Sequence, residues 1–292
     1  MNLAVPRIDA APETALTSIA LQGGHSGADV ILYTDNRDTF VRKSASLPQN
    51  NARLMKQAVK QRLFAAQGFA FPAVHDMAFD AARRAYFDMD YVPSRTLGDL
   101  VRTLAPFNAR VAIDAIGDML AVFHATSQDT LPPALFHDKI DDIANALTPS
   151  LLLGRVVRGL HAADWSDIPA SVGHGDLTFE NILVSPDGDV TFIDCDEPFA
   201  SSWQLDLGKL FQDCAGHWCL RTLERPSIGA AERLSQLGKE LRRLAKELDP
   251  TLPARLSQFA ALHLLRTVPY SKTGGTATFA LRAAARLLEI AP

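Results

Sequence analysis

Two neighbouring stretches constrain this chain most: VGHGDLTFENILV, residues 172–184, and VTFIDCDEP, residues 190–198. Residues 182–184 and 190–193 are apolar runs with strand character, and the PDGD between them has the composition of a tight turn. Such a hairpin folds the chain back on itself. Asn181, just before the first strand, and Asp194, just after the second, therefore arrive at the same end. Asp176 precedes Asn181 by five residues. A carboxylate beside a buried strand loses hydration, and a proton, a metal or a donor must compensate. Two oxygen ligands meeting at one end, with Asp176 nearby, suit a hard cation. Mg2+ fits, since it keeps several waters and takes one or two protein ligands besides substrate phosphates.

The remaining text divides into a strand-rich first third and a helical remainder. ALTSIALQGGHSGADVILYTDNRDTFVRKSA reads as three short strands, broken at the glycine-rich QGGHSG and at the polar turn TDNRD. Residues 48–67 have helical spacing, with Leu54, Ala58, Phe64 and Ala65 on one face. FPAVHDMAFD and RRAYFDMDYV supply two more strands around a turn. From SRTLGDL onward, helices are expected over 96–104, 108–127, 140–153, 202–222, 229–247, 252–267 and 276–289. The expected class is α+β, with an N-terminal lobe over 1–91, a larger helical lobe over 92–292, and a ligand cleft between them. A chain of 292 residues exceeds one typical core, which agrees with two lobes.

Composition narrows the class of function. A net charge of −4 leaves no basic footprint for nucleic acid. No apolar run approaches a membrane span, and the N-terminus lacks the basic-then-apolar layout of a secretory signal. Three cysteines argue against a disulfide framework, so a cytoplasmic location is expected. CAGHWC, with Cys214, His217 and Cys219, matches no zinc spacing and reads as helix packing, with Leu207, Leu210, Phe211 and Cys214 on one face. No pattern in the chain bears on its oligomeric state.

The order base, Asn, Asp resembles the catalytic half of a kinase. HGDLTFENIL with FIDCDEP is similar to the aminoglycoside phosphotransferase and choline kinase branch of the protein-kinase-like fold, which carries H-G-D. LQGGHSGADV looks like that family's phosphate loop, TFVRK its lysine strand, FDMDYVPSRTL its hinge, MLAVFHATS its helix before the catalytic loop, and WQLDLGKLFQD its helix after the metal aspartate. The resemblance implies a bilobal α+β fold and an ATP- and Mg2+-dependent kinase acting on a hydroxyl of a small molecule. Asp176 would be the base for the acceptor hydroxyl, and Asn181 and Asp194 would hold Mg2+. Lys43 would pair with the nucleotide phosphates, and Gly23, Gly24, Ser26 and Gly27 would bring backbone N–H groups to them. Main chain near Asp90 and Val92 would meet the adenine. Strand alternation sets Lys43 with Val41 and its competitor Arg42 with Phe40. His174 would brace the loop, and Asp206 would cap or brace it.

The sequence departs from the family at one point. The kinase lysine normally pairs with a glutamate of the N-lobe helix, yet no acidic residue lies between Lys43 and Asp76. Gln57 and Gln61 are the available hydrogen-bonding substitutes. That gap supports a rival reading as a nucleotide-binding regulatory module without turnover, whereas the intact Asp176, Asn181 and Asp194 oppose it. Asp196 and Glu197 are either supports for a second metal or solvated acids. Trp203, Trp218, Arg266 and Tyr270 are candidates to line the acceptor site. The dense acidic lining expected for a polycationic aminoglycoside is missing; by analogy with the family it resembles, a sugar or other small alcohol is the expected acceptor, with amino alcohols and aminoglycosides the other classes.

Overall fold

Alternating apolar side chains in the first ninety residues fold into one antiparallel sheet. Its strands are β1 (Thr17–Ala20), β2 (Ala28–Thr34), β3 (Thr39–Ala45), β4 (Val74–Phe79) and β5 (Ala85–Asp90), in the order β1-β2-β3-β5-β4. The computed structural model describes residues 17–21, 28–34, 38–271 and 274–290. The segment holding Gly23, Gly24, Ser26 and Gly27 lies outside the described residues, as do residues 35–37 of the expected β2–β3 turn. In β3 the two faces separate cleanly: Val41, Lys43 and Ala45 are buried, and Phe40 and Arg42 lie on the other side. Arg42 makes a two-pronged bond to Asp88, opposite it on β5, at 2.7 Å on each prong. The alternation expected of Lys43 and Arg42 is the one observed.

Helix α1 (Asn51–Ala66) follows, and the chain divides within it. The described residues up to Met55 form one compact unit with Ala73–Tyr91, and Lys56–Pro72 belongs with Val92–Pro292 in the other. Beyond Tyr91 the second unit continues with β6 (Arg95–Thr96), α2 (Leu97–Thr103) and α3 (Ala109–Ala125). Its core is built from stripes such as Ile113, Ile116, Leu120 and Phe123 on α3. One expected helix is two. Where helical spacing runs over 140–153, the chain forms α4 (Pro133–Asn145) and α5 (Leu151–His161). Pro149 disfavours a helical residue before it, and Ser150 caps α5 by accepting from the Leu153 N–H at 3.1 Å. Pro133 in turn starts α4 at a position where its missing N–H costs nothing.

The hairpin consists of β7 (Ile182–Val184) and β8 (Val190–Phe192), and β6 pairs on the outside of β7. Four helices complete the unit: α6 (Trp203–Gly216), α7 (Ile228–Leu248), α8 (Leu256–Thr267) and α9 (Gly274–Leu287). The helix expected to 222 ends at Gly216, because His217 takes a left-handed φ of 57° and a short 3-10 turn follows at Trp218–Leu220. Likewise α8 starts at Leu256, after a 3-10 turn at Leu252–Ala254. Cys195, Cys214 and Cys219 are buried thiols. Among the described residues, no helix is long and apolar enough to cross a membrane.

Candidate active site

The site begins with the hairpin. Ile182 pairs with Phe192, and the next rung is a bond from the Ile193 N–H to the Asn181 carbonyl at 3.0 Å. Asn181 therefore faces the end of β8, and Asp194 stands one residue beyond that rung. Asp194 turns away at φ 60°, a left-handed conformation uncommon outside glycine. Asn181 reaches back: its Nδ2 donates to the Asp176 carbonyl at 2.7 Å and to the Asp176 carboxylate at 3.1 Å. Asp176 and Asn181 are in direct contact, and the hairpin brings the Asp194 segment to the same end.

The loop from His174 to Asn181 has little regular structure of its own, and α6 fixes it. Asp206, Lys209 and Asp213 project from one side of that helix, at the spacing that aligns side chains turn by turn. The Asp206 carboxylate accepts from the His174 N–H at 2.5 Å and the Gly175 N–H at 2.8 Å. Lys209 Nζ lies 3.0 Å from the Asp176 carboxylate. Asp213 accepts from the Phe179 N–H at 2.8 Å. The expected bracing role of Asp206 is what the structure shows. Asp213 is buried under the loop.

A second set of bonds ties the loop to the chain after β8. The Asp196 N–H donates to the His174 carbonyl at 2.9 Å, and Lys60 of α1 donates to both the His174 and Asp196 carbonyls, at 3.2 and 2.5 Å. The two backbones cross at Gly175, which has φ 91°; a Cβ there would stand 2.2 Å from the Asp196 carbonyl oxygen. Only glycine satisfies both demands, which explains the middle letter of H-G-D. Glu197 pairs with Lys56 at 2.7 Å with both side chains exposed.

Electrostatics sort these groups. Removal from water works against the Asp176 charge, but Lys209 overcomes it by charge and hydrogen bond and holds the carboxyl below its usual range. His174, buried against the Phe71 ring at 5.7 Å between centroids, is pushed by burial to a pKa of about 4 and stays neutral. It is therefore a structural histidine, as expected. Burial also raises Asp206 to about 6 and Asp213 to about 7, against the backbone donors each accepts from.

The remaining candidates fall in three groups. Lys43 is buried on β3. Asp90 ends β5, where its carboxylate accepts from the Ala73 N–H at 3.1 Å and meets His75 Nε2 at 2.6 Å; the Val92 carbonyl accepts from the Ser94 hydroxyl at 2.9 Å. Gln61, a proposed partner for Lys43, donates its amide to the Pro72 carbonyl at 2.9 Å. Trp203 and Trp218 are core residues, so their candidacy for the acceptor site is withdrawn: helical spacing of aromatics reflected packing. Lys209 and Lys60 were missed. The signal for Lys209 was a lone cation inside the apolar LDLGKLF, a place where an unpaired charge is costly.

The family model of the phosphotransferase enzyme family matches residues 18–225, which include most of β1 and everything from β2 to α6, with the loop and hairpin just described. The chain belongs to this family. As a member of it, the protein is a small-molecule kinase. A search of the curated proteins finds no match. Among solved structures, the chain is similar to a thermostable mutant of the aminoglycoside phosphotransferase APH(4)-Ia, at 13% identity and TM-score 0.65, covering 94% of this chain and 95% of that one. It is similar to the choline kinase LicA of Streptococcus pneumoniae at 14% identity and TM-score 0.63, covering 95% and 94%. A third is the type VIII aminoglycoside-3'-phosphotransferase, at 17% identity and TM-score 0.58, covering 85% and 93%. These likenesses give the phosphotransferase its fold: α+β and protein-kinase-like, with a five-stranded antiparallel sheet unit and a mostly helical unit.

Proposed function

We propose that the protein transfers the γ-phosphoryl group of ATP, with Mg2+, to a hydroxyl of a small molecule in the cytoplasm. The observation that carries this reading is the contact of Asn181 with Asp176 at the mouth of the β7–β8 hairpin, with Asp194 one residue past its last rung. Asn181 gives its Nδ2 to Asp176, so its Oδ1 is the atom left for a hard cation, and Asp194 contributes the carboxylate. That donor set fits Mg2+, which when bound neutralises charge on the nucleotide phosphates.

Asp176 receives the acceptor hydroxyl. Phosphoryl transfer passes through a loose transition state, so orienting the hydroxyl matters more than strong basicity. A carboxylate kept ionised by Lys209 suits that task. Lys43 binds the α- and β-phosphates, Gly23, Gly24, Ser26 and Gly27 cradle them with backbone N–H groups, and main chain near Asp90 and Val92 meets the adenine. In support, similar structures of APH(4)-Ia hold ADP or AMP-PNP together with hygromycin B. Asp176, Asn181 and Asp194 are all present, which favours turnover over a regulatory module.

Mg-ATP should raise the melting temperature of the wild type and be consumed slowly. Asp176→Asn should lower turnover by about 10² or more while keeping the Mg-ATP shift. Asp194→Ala should lose that shift. Unchanged turnover in Asp176→Asn overturns the base assignment, and a wild type indifferent to Mg-ATP overturns the whole reading.

A further inference from the structure

Helices α6 and α8 meet closely: a Cβ on Gly208 would stand 2.4 Å from the Phe259 Cβ, so only glycine permits this approach. The contact sets His263 of α8 against α6, where its Nε2 donates to the Leu205 carbonyl at 2.9 Å. That bond fixes the tautomer. Nδ1 carries no proton and accepts from Arg266 Nη1 at 3.0 Å. Burial, reinforced by the nearby charges of Lys209 and Arg266, keeps His263 neutral, so the relay from Leu205 to Arg266 holds across ordinary pH. The guanidinium also lies over the Phe199 ring, 4.8 Å from its centroid. Arg266 is thus held on two sides.

No carboxylate among the described residues lies within ion-pair distance of this guanidinium. Asp176, the acid whose charge acts on it most strongly, is already paired with Lys209 and bonded to Asn181. Asp206 is occupied by two backbone N–H groups, and the Asp196 carboxylate accepts from the Glu197 N–H. Burial disfavours the Arg266 charge, and the acids around it offset that cost only from a distance. Arg266 is anchored through His263 to Leu205, one turn before the Lys209 that pairs with Asp176, and a fixed, partly buried cation with remaining donors there suits a planar or tetrahedral anion. It repels an ammonium group.

We propose that Arg266 determines acceptor specificity by holding an anionic group, a carboxylate or a phosphate, of the alcohol whose hydroxyl is presented to Asp176. The acceptor is then a hydroxy acid or a phosphorylated sugar or polyol, not a polycation. This rests on Asp176 being the hydroxyl-binding residue.

The test compares glucose, gluconate, glucose 6-phosphate and glucosamine, scored by ADP release and by melting temperature. With the wild type, gluconate or glucose 6-phosphate should outperform both glucose and glucosamine by about tenfold or more; which of the two wins distinguishes carboxylate from phosphate. Arg266→Gln should raise KM for the preferred anion by about ten- to a hundredfold, with a smaller change in kcat, as expected for loss of a charged hydrogen-bond partner. Arg266→Lys should recover part of that loss, which a folding defect would not allow. The melting shift with Mg-ATP is followed in every variant. Its absence from the wild type defeats the phosphotransferase reading itself. With that shift present, a wild type that favours glucose or glucosamine, or that responds to none of the four, overturns the proposal. A fall in kcat that is equal for all acceptors in Arg266→Gln also overturns it, because the arginine would then serve the transferred phosphoryl group.

Discussion

In α7, eight of 21 residues are charged, and none of them is buried. Leu234, Leu237, Leu241 and Leu244 form its buried stripe, and Arg243 on the outer side bridges Glu240 at 3.0 Å and Glu247 at 2.6 Å. This is the ordinary amphipathic arrangement. In α6 only Asp206, Lys209 and Asp213 are charged, and all three are buried. Burying them costs free energy that α7 avoids, and all three are matched to the loop from His174 to Phe179, Asp206 to two backbone N–H groups and Lys209 and Asp213 to one group each. Two helices of one unit thus use charge for opposite ends. In α7 it mostly keeps the outer face in water, apart from Arg233 and Arg242, which donate to backbone carbonyls at Leu100, Leu104, Ala105 and Pro253, and in α6 it gives an irregular loop a single conformation.

The largest effect that would break this contrast is at Asp206. Asp206→Ala removes the acceptor of the His174 and Gly175 N–H groups and should destabilise the protein by about 2–5 kcal/mol in urea unfolding, with loss of activity. A cost below about 1 kcal/mol would mean that α6 does not fix the loop.

Asp213 sharpens the contrast through pH. Its folded pKa, about 7, lies above the ordinary 3.8, so its contribution to stability is fully present below that ordinary value and is lost as pH rises through about 7. His174 acts in the opposite sense. Its pKa is depressed to about 4, so stability is full above 6.5 and falls as pH drops toward 4. The comparison of wild type with Asp213→Asn isolates the first slope. The stability advantage of the wild type should shrink from pH 4 to pH 8 by at most about 4 kcal/mol. A pH-independent difference would mean that Asp213 is charged throughout.

The smallest effect belongs to α7. Arg243→Ala breaks both exposed pairs and should leave the urea-unfolding midpoint nearly unchanged, the more so in high salt. A large loss there would erase the distinction between the helices.

The same contrast explains what could be read in the sequence. Strands β2 to β5, the β7–β8 hairpin and the long helices were legible because their apolar periods are strong, and the hairpin alone located Asn181 and Asp194. The break between α4 and α5 was missed because helical spacing continues across Pro149 and Ser150, where local backbone preference prevails. α6 was read as one apolar face. In fact all residues from Trp203 to Cys214 are buried, so periodicity could not say which polar side chains had partners. Lys209 and Lys60 find their partners across long sequence separations, on Asp176 and on the His174 and Asp196 carbonyls. Spacing rules, which read neighbours along the chain, do not report such pairs.

The β7–β8 hairpin has two dissimilar ends. Its open end carries Asn181 and Asp194. Its closed end, Ser185–Asp189, is tied to itself through Ser185 and Gly188, and includes the exposed Pro186, Asp187 and Asp189. The rungs between them fix the register, so added length at the tip need not propagate to the other end. Position 187 is therefore a natural place to splice in a peptide tag or attach a fluorophore. A label there would sit one short strand away from the proposed metal ligands and could report on their occupancy without touching them.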